Sequence, residues 1–127
     1  MSTPFVAQSV LTYPPDDGEA AVARSNTVNS SYEEKAEFKY VLTGSGSRDV
    51  DFGSLDTLGA KAIQVEMSSG NSAAVMVQFN GGGSSGQLEL SAGGHFDLAS
   101  PSPTALGVLA MTLVHTVDAT VWVRILG

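Results

Sequence analysis

Leu106 to Gly127 reads LGVLAMTLVHTVDATVWVRILG, and this stretch decides the fold. Val108, Ala110, Thr112 and Val114 fall on one parity, and Leu109, Met111 and Leu113 on the other. A polar break follows at His115 to Asp118. Beyond it, Val121, Val123 and Ile125 oppose Thr120, Trp122, Arg124 and Leu126. Two apolar runs of period two around a short break predict a buried strand, a tight turn and a closing strand. Because Leu106 to Val114 is apolar on both parities, that strand is expected to be covered on both faces. The arm, the opposite sheet and a partner subunit are the candidates to cover it. Trp122 reads as a core residue of the closing strand, since a large aromatic in an apolar strand is mostly buried.

The same period recurs upstream. Lys61 to Met67, KAIQVEM, sets Ile63, Val65 and Met67 against Gln64 and Glu66. Ala74 to Phe79 sets Val75, Val77 and Phe79 against Met76 and Gln78. The run Asn80 to Gly86 between this strand and the next is a glycine-rich hairpin loop, too long for a two-residue turn. Gln87 to Leu90 and His95 to Leu98 are short strands around the turn Ser91 to Gly94. Pro101 and Pro103 mark a loop. Glu37 to Leu42, EFKYVL, puts Phe38 and Tyr40 on one face and Lys39 and Val41 on the other, the first core strand. Gly44 to Ser47 is a turn, Arg48 to Phe52 a short half-exposed strand, and Gly53 to Gly59 a loop carrying Leu55 and Leu58. Seven or eight short strands separated by turn signals predict an all-β fold, an antiparallel β-sandwich or barrel.

Residues 1–35 differ from this body, residues 36–127. Pro4, Pro14 and Pro15 interrupt them, and Pro14 to Glu19 reads as a turn or extended segment. Ser25 to Ser31, SNTVNSS, is polar and loop-like, and Gly18 to Ala23 gives a weak helical signal. Five acids (Asp16, Asp17, Glu19, Glu33, Glu34) against two bases (Arg24, Lys35) give this segment a charge of −3. Phe5, Val6, Val10, Leu11 and Tyr13 are its apolar anchors and the candidate interaction residues. An extended arm, with one strand near Phe5 to Thr12, is expected ahead of a disordered tail, which carries fewer such anchors.

Composition narrows the function. The 127 residues suit one domain with an arm. With no cysteine, disulfides and thiolate metal sites are excluded. Thirteen acids against six bases give a net charge of −7, which argues against a nucleic-acid partner and an anionic membrane surface. No apolar run reaches the roughly 20 residues of a membrane-spanning helix. The N-terminus lacks the basic region and apolar core of a signal peptide, so synthesis in a cytoplasm is expected.

The residues offer no catalytic constellation. His95 and His115 stand alone, outside any His-x-His or His-Glu-x-x-His spacing, and read as turn and hairpin-end histidines at solvent or an interface. A cupin-like enzyme would need a second histidine close to Gly93-Gly94-His95-Phe96-Asp97. Asp49, Asp51 and Asp56 resemble part of a calcium loop, but Gly53 stands at its fifth position and Lys61 near the last acid, so a solvated face is the reading. Gly81 to Gly83 and Gly93-Gly94 lack the phosphate-cradle patterns. No serine lies in a nucleophile-elbow context. The expectation is a non-enzyme without metal or other cofactor. Trp122 and the three tyrosines leave a sugar-stacking surface as an alternative.

From about Leu58 onward the layout of KAIQVEMSSG, AVMVQFNGGG, LELSAGGHFDL, a Leu-rich strand and the terminal ATVWVRILG resembles small β-sandwich virion proteins of tailed bacteriophages. These are capsid decoration (cement) proteins or neck and tail accessory proteins. The resemblance implies a jelly-roll-like sandwich, assembly on a virion, often as a homotrimer, and a major capsid protein or other virion protein as partner. The N-terminal arm would be the tether to the shell or to a neighbour. A carbohydrate- or receptor-binding β-sandwich module is the alternative of another class.

Overall fold

The computed structural model describes residues 3–13, 22–53, 55, 59–81, 83, 87–100, 106–108 and 110–127. These form ten strands: β1 (Thr3–Tyr13), β2 (Val22–Tyr32), β3 (Lys35–Leu42), β4 (Gly46–Asp49), β5 (Ala62–Met67), β6 (Val75–Phe79), β7 (Gln87–Leu90), β8 (His95–Ala99), β9 (Met111–His115) and β10 (Ala119–Leu126). The fold is all-β and antiparallel. Two four-stranded sheets, ordered β3-β10-β5-β8 and β4-β9-β6-β7, make a β-sandwich, and β1 and β2 pair with each other as a separate ribbon.

The pairings of the sandwich nest. β6 pairs with β7, β5 with β8, β4 with β9 and β3 with β10. The first and last strands of the body are therefore neighbours, and all its consecutive strands except β6 and β7 lie in opposite sheets.

Parity sets which side chains face inward, since alternate residues of a strand point to opposite faces. On the first sheet Tyr40, Val121 and Met67 share one row, and Phe38, Val123, Val65 and Phe96 the next. On the second, Val77 lies beside Leu113 and Phe79 beside Met111. Ile63, Val65, Val75, Val77, Leu113, Val121, Val123 and Ile125 are all buried in one continuous core. Aromatic contacts tie the sheets together toward either edge. Phe79 meets Phe96 edge to face at 5.8 Å. The Arg48 guanidinium lies 5.4 Å from the ring of Tyr40, whose hydroxyl accepts the Asp51 N–H.

The period-two readings of β5, β6 and β10 match the observed strands. Other local readings change. Ser25 to Ser31 belongs to β2, because its backbone pairs along its full length with β1 and does not need apolar side chains to do so. For the same reason Val22 and Ala23 are strand, not helix. The strand near Gly44 is Gly46–Asp49, and Val50 and Phe52 beyond it are buried, at 7% and 4% exposure. The first apolar run of the closing stretch is strand only from Met111. Its parity is one-sided: Met111, Leu113 and His115 are buried, while Thr112 and Val114 are half-buried on the outer face. The readings of Pro14 to Gly18 and Glu19, Asp56, Leu58, Pro101 and Pro103 fall outside the described residues.

Loops are held to strands by side chains that imitate backbone. Asn71 accepts the Thr120 N–H at 2.9 Å and donates to the Thr120 carbonyl at 3.1 Å, so its amide acts as a strand partner for β10. Removing it leaves the Thr120 N–H unpaired in a partly buried place, while the Thr120 carbonyl keeps the Ser68 N–H as donor. Asn71→Ala should lose about 1–2 kcal/mol in urea denaturation, with the urea dependence unchanged. Asn80, at φ +52°, likewise accepts from Ala110 N–H and donates to the Gly107 carbonyl, which fixes the entry to β9.

Candidate functional site

The surface that distinguishes this molecule is the ribbon. β1 and β2 pair from Thr3↔Tyr32 to Tyr13↔Val22 without a bulge. Phe5, Ala7, Ser9, Leu11 and Tyr13 lie on one face with Tyr32, Ser30, Val28, Asn26 and Arg24. Pro4, Val6, Gln8, Val10 and Thr12 lie on the other. The five predicted anchors are thus divided: Phe5, Leu11 and Tyr13 share a face, and Val6 and Val10 lie behind it.

At its base the ribbon is tied to the body. Lys61 Nζ donates to the Ser31 carbonyl at 3.1 Å. The Glu33 and Glu34 amides donate to the Gly127 carbonyl, and the Gly127 N–H donates to Glu34 O. Phe5, half-buried, contacts Tyr32 at 6.2 Å between ring centroids. The ribbon then crosses the outer face of the β3-β10-β5-β8 sheet. A groove of about 280 Å³ lies between them, walled by Phe5, Ala7, Ala62, Asp97, Arg124 and Leu126 among others. By Ser9 and Asn26 the ribbon is above Asp97 and Ala99 of the edge strand β8. From there to Tyr13 the described side chains of both strands are exposed. Val6, Val10, Leu11 and Tyr13 are 63%, 59%, 67% and 41% exposed.

A two-stranded ribbon in water is marginally stable by itself, and its two open edges present unpaired backbone groups. Three exposed apolar side chains at its free half, Val10, Leu11 and Tyr13, have a transfer free energy that favours a contact. The ribbon carries one charge among its described residues, Arg24, opposite Leu11.

The sheet face beneath is polar, with a single aromatic. Its successive rows are Lys39, Trp122, Glu66 and His95, then Glu37, Arg124, Gln64 and Asp97. Arg124 Nη1 donates to Gln64 Oε1 at 2.8 Å and lies 3.5 Å from Glu66 Oε2, an exposed pair of little energetic weight. Trp122 is half-buried on this outer face, 5.8 Å from Lys39 Nζ, and not in the core as its strand led us to expect. Parity decides this: Val121 and Val123 occupy the inner positions, so Trp122 points out. Val41, on the edge strand β3 of the same face, is 69% exposed. The alternation of Lys39 and Val41 against Phe38 and Tyr40 already carried that signal in the sequence.

The remaining candidates separate. His95 is exposed at the start of β8, whereas His115 is only 6% exposed and is not at solvent. Its Nδ1–H is shared between the Gly44 and Val117 carbonyls, so it ties the β9-β10 connection, which crosses between the sheets and is not the hairpin its sequence suggests, to the β3-β4 link. Asp49 accepts from Thr112 Oγ1, and Asp51 caps its own turn through the Gly53 N–H. Among the described residues no three His, Asp or Glu side chains converge as a metal site. No helix among them is long and apolar enough to cross a membrane.

Fold and surface together define an antiparallel β-sandwich that presents a two-stranded apolar ribbon. Comparison of the chain with protein-family models, with curated proteins and with solved structures finds no match.

Proposed function

We propose that this chain is a structural protein of a tailed-phage virion, a capsid decoration protein of the jelly-roll kind that binds and stabilises the shell through its N-terminal ribbon as the arm. The observation that carries the reading is the ribbon: half of it extends beyond the body with Val10, Leu11 and Tyr13 exposed, and Val6 is exposed nearer its base. A monomer gains nothing from such a surface, whereas an assembly component uses it to bridge neighbours. The nested strand order supports a rolled-up hairpin topology, which recurs in viral capsid domains. The acidic balance, −7 overall, fits a surface that meets protein rather than nucleic acid. A neck or tail position on the virion uses the same surface.

Co-sedimentation with purified phage particles tests the reading. The full chain should pellet with particles at a fixed stoichiometry and raise their resistance to heating. A chain lacking residues 1–32 should remain in the supernatant. Particle binding that survives this deletion would remove the ribbon from the mechanism. The outward position of Trp122 beside Glu66 and Arg124 favours a second reading, sugar binding, because an aromatic flanked by polar groups is how saccharides are held. Glycan-array binding abolished in Trp122→Ala would replace the first reading with this one.

A further inference from the structure

We infer that the free half of the ribbon docks on a second copy of this chain, at the Val41 corner of the same sheet face that the ribbon's base crosses in its own subunit. The inference rests on the reading of the ribbon as an assembly element and names its first partner.

The two strongest unpartnered apolar features of the described molecule lie at opposite edges of one sheet face. The ribbon passes over β8 at Ser9 and Asn26 and leaves the body there. Its last four residue pairs extend about 13 Å farther at the rise of a β-strand. Val41, 69% exposed, stands on β3 at the other edge. A ribbon directed away from β3 does not reach its own Val41. The β3 edge of a neighbouring copy placed beside β8 is within its reach.

The two surfaces are complementary. On the ribbon, Leu11 and Tyr13 share a face with Arg24, and Leu11 and Arg24 are directly opposite. At the receiving corner, Val41 borders a recess of about 260 Å³ whose walls include Thr43, Asn71, Asp118 and Thr120. The recess offers the apolar wall of Val41 to Leu11 or Tyr13, and the Asp118 carboxylate to Arg24. Lys39, the nearby cation, is held over Trp122, one row away. An apolar pair with an opposite charge at its rim is the pattern that fixes register at protein interfaces.

Because ribbon and recess are different patches, the contact is head-to-tail. Each copy gives a ribbon to one neighbour and receives one from the other. Such an arrangement closes as a ring when the rotation between copies is a whole fraction of a turn, one third of a turn giving a cyclic trimer.

Sedimentation velocity of the full chain and two charge-introducing variants decides the matter. The unaltered chain should sediment as a closed oligomer. Leu11→Glu on the ribbon and Val41→Glu on the corner should each reduce the mass to the 13.1 kDa monomer. Both positions are exposed, so the circular dichroism spectrum should be unchanged, which excludes misfolding as the cause. Mixing the two variants should then restore a species of two chains. The intact ribbon of Val41→Glu meets the intact corner of Leu11→Glu, and the assembly stops there. A monomeric unaltered chain, an oligomer indifferent to either substitution, or failure of the mixture to pair would each overturn the inference. Particle binding by a monomeric chain with an intact ribbon would leave the proposed function standing while the second-copy contact falls.

Discussion

Leu113→Ala should cost about 3 kcal/mol of stability, within the range measured for deleting a buried leucine side chain. Leu113 is 0% exposed on β9, the strand between β4 and β6. It faces the opposite sheet beside Val77 in the next strand. Neighbours on both sides are held by the ladder, so the space left by three carbons does not close, and the cavity adds to the lost transfer free energy. For a chain of this size the loss corresponds to a melting temperature lowered by roughly 10 °C. Val114→Ala is the control. It stands one residue on, half-buried on the outer face opposite Met76, and should cost no more than about 1 kcal/mol. The ratio of the two effects measures the one-sidedness of β9. Equal losses would mean that the outer face of this sheet is covered as fully as the inner one.

That comparison also locates what was legible in the sequence. Where apolar residues alternate with polar ones, as in Ile63-Gln64-Val65-Glu66-Met67, the pattern named both the strand and its inward face, and the structure agrees. In Leu106 to Val114 apolar residues fall on both parities, so parity did not single out the inward face. The inward choice of Met111 and Leu113 is made by pairing with β6, a contact about 35 positions away. β2 was illegible for a different reason. Ser25 to Ser31 has no alternation of apolar and polar residues, and it is a strand because β1 supplies backbone partners. The candidate surface was half legible: the apolar residues of β1 were visible, but their division between two faces, and the presence of Val41 on the sheet face that the ribbon crosses, follow from register and topology. Trp122 shows how far composition misleads. It stands in a strongly apolar strand, yet between two inward valines.

Gly127→Ala should destabilise the fold by about 2 kcal/mol and loosen the ribbon as well. Gly127 is buried, and a Cβ placed there would lie 2.5 Å from Leu55 Cδ2 and 2.9 Å from the Gly59 carbonyl oxygen. Leu55 has little room to rotate away, being 1% exposed within the core. The Gly59 carbonyl is backbone, next to buried Ala60. Relief therefore requires residue 127 to move, but its carbonyl accepts from the Glu33 and Glu34 amides and its N–H donates to Glu34 O. Those three bonds join β10 to the junction between ribbon and sandwich. Any shift that relieves the clash lengthens them, so the packing cost and the loss of ribbon anchorage are coupled. Hydrogen exchange at the Glu33 and Glu34 amides should accelerate in Gly127→Ala beyond the factor set by the global loss of stability, because local opening of the junction becomes available. Gly70→Ala provides the reference: its nearest neighbour is Ser68 Oγ at 3.6 Å, at an exposed turn, and stability should stay within about 0.5 kcal/mol. If the Glu33 and Glu34 amides instead exchange no faster than the core requires, the ribbon is held by contacts along its length rather than at Gly127. Phe5, Ala7 and Val28, the half-buried residues on its inner face, would then be its anchor.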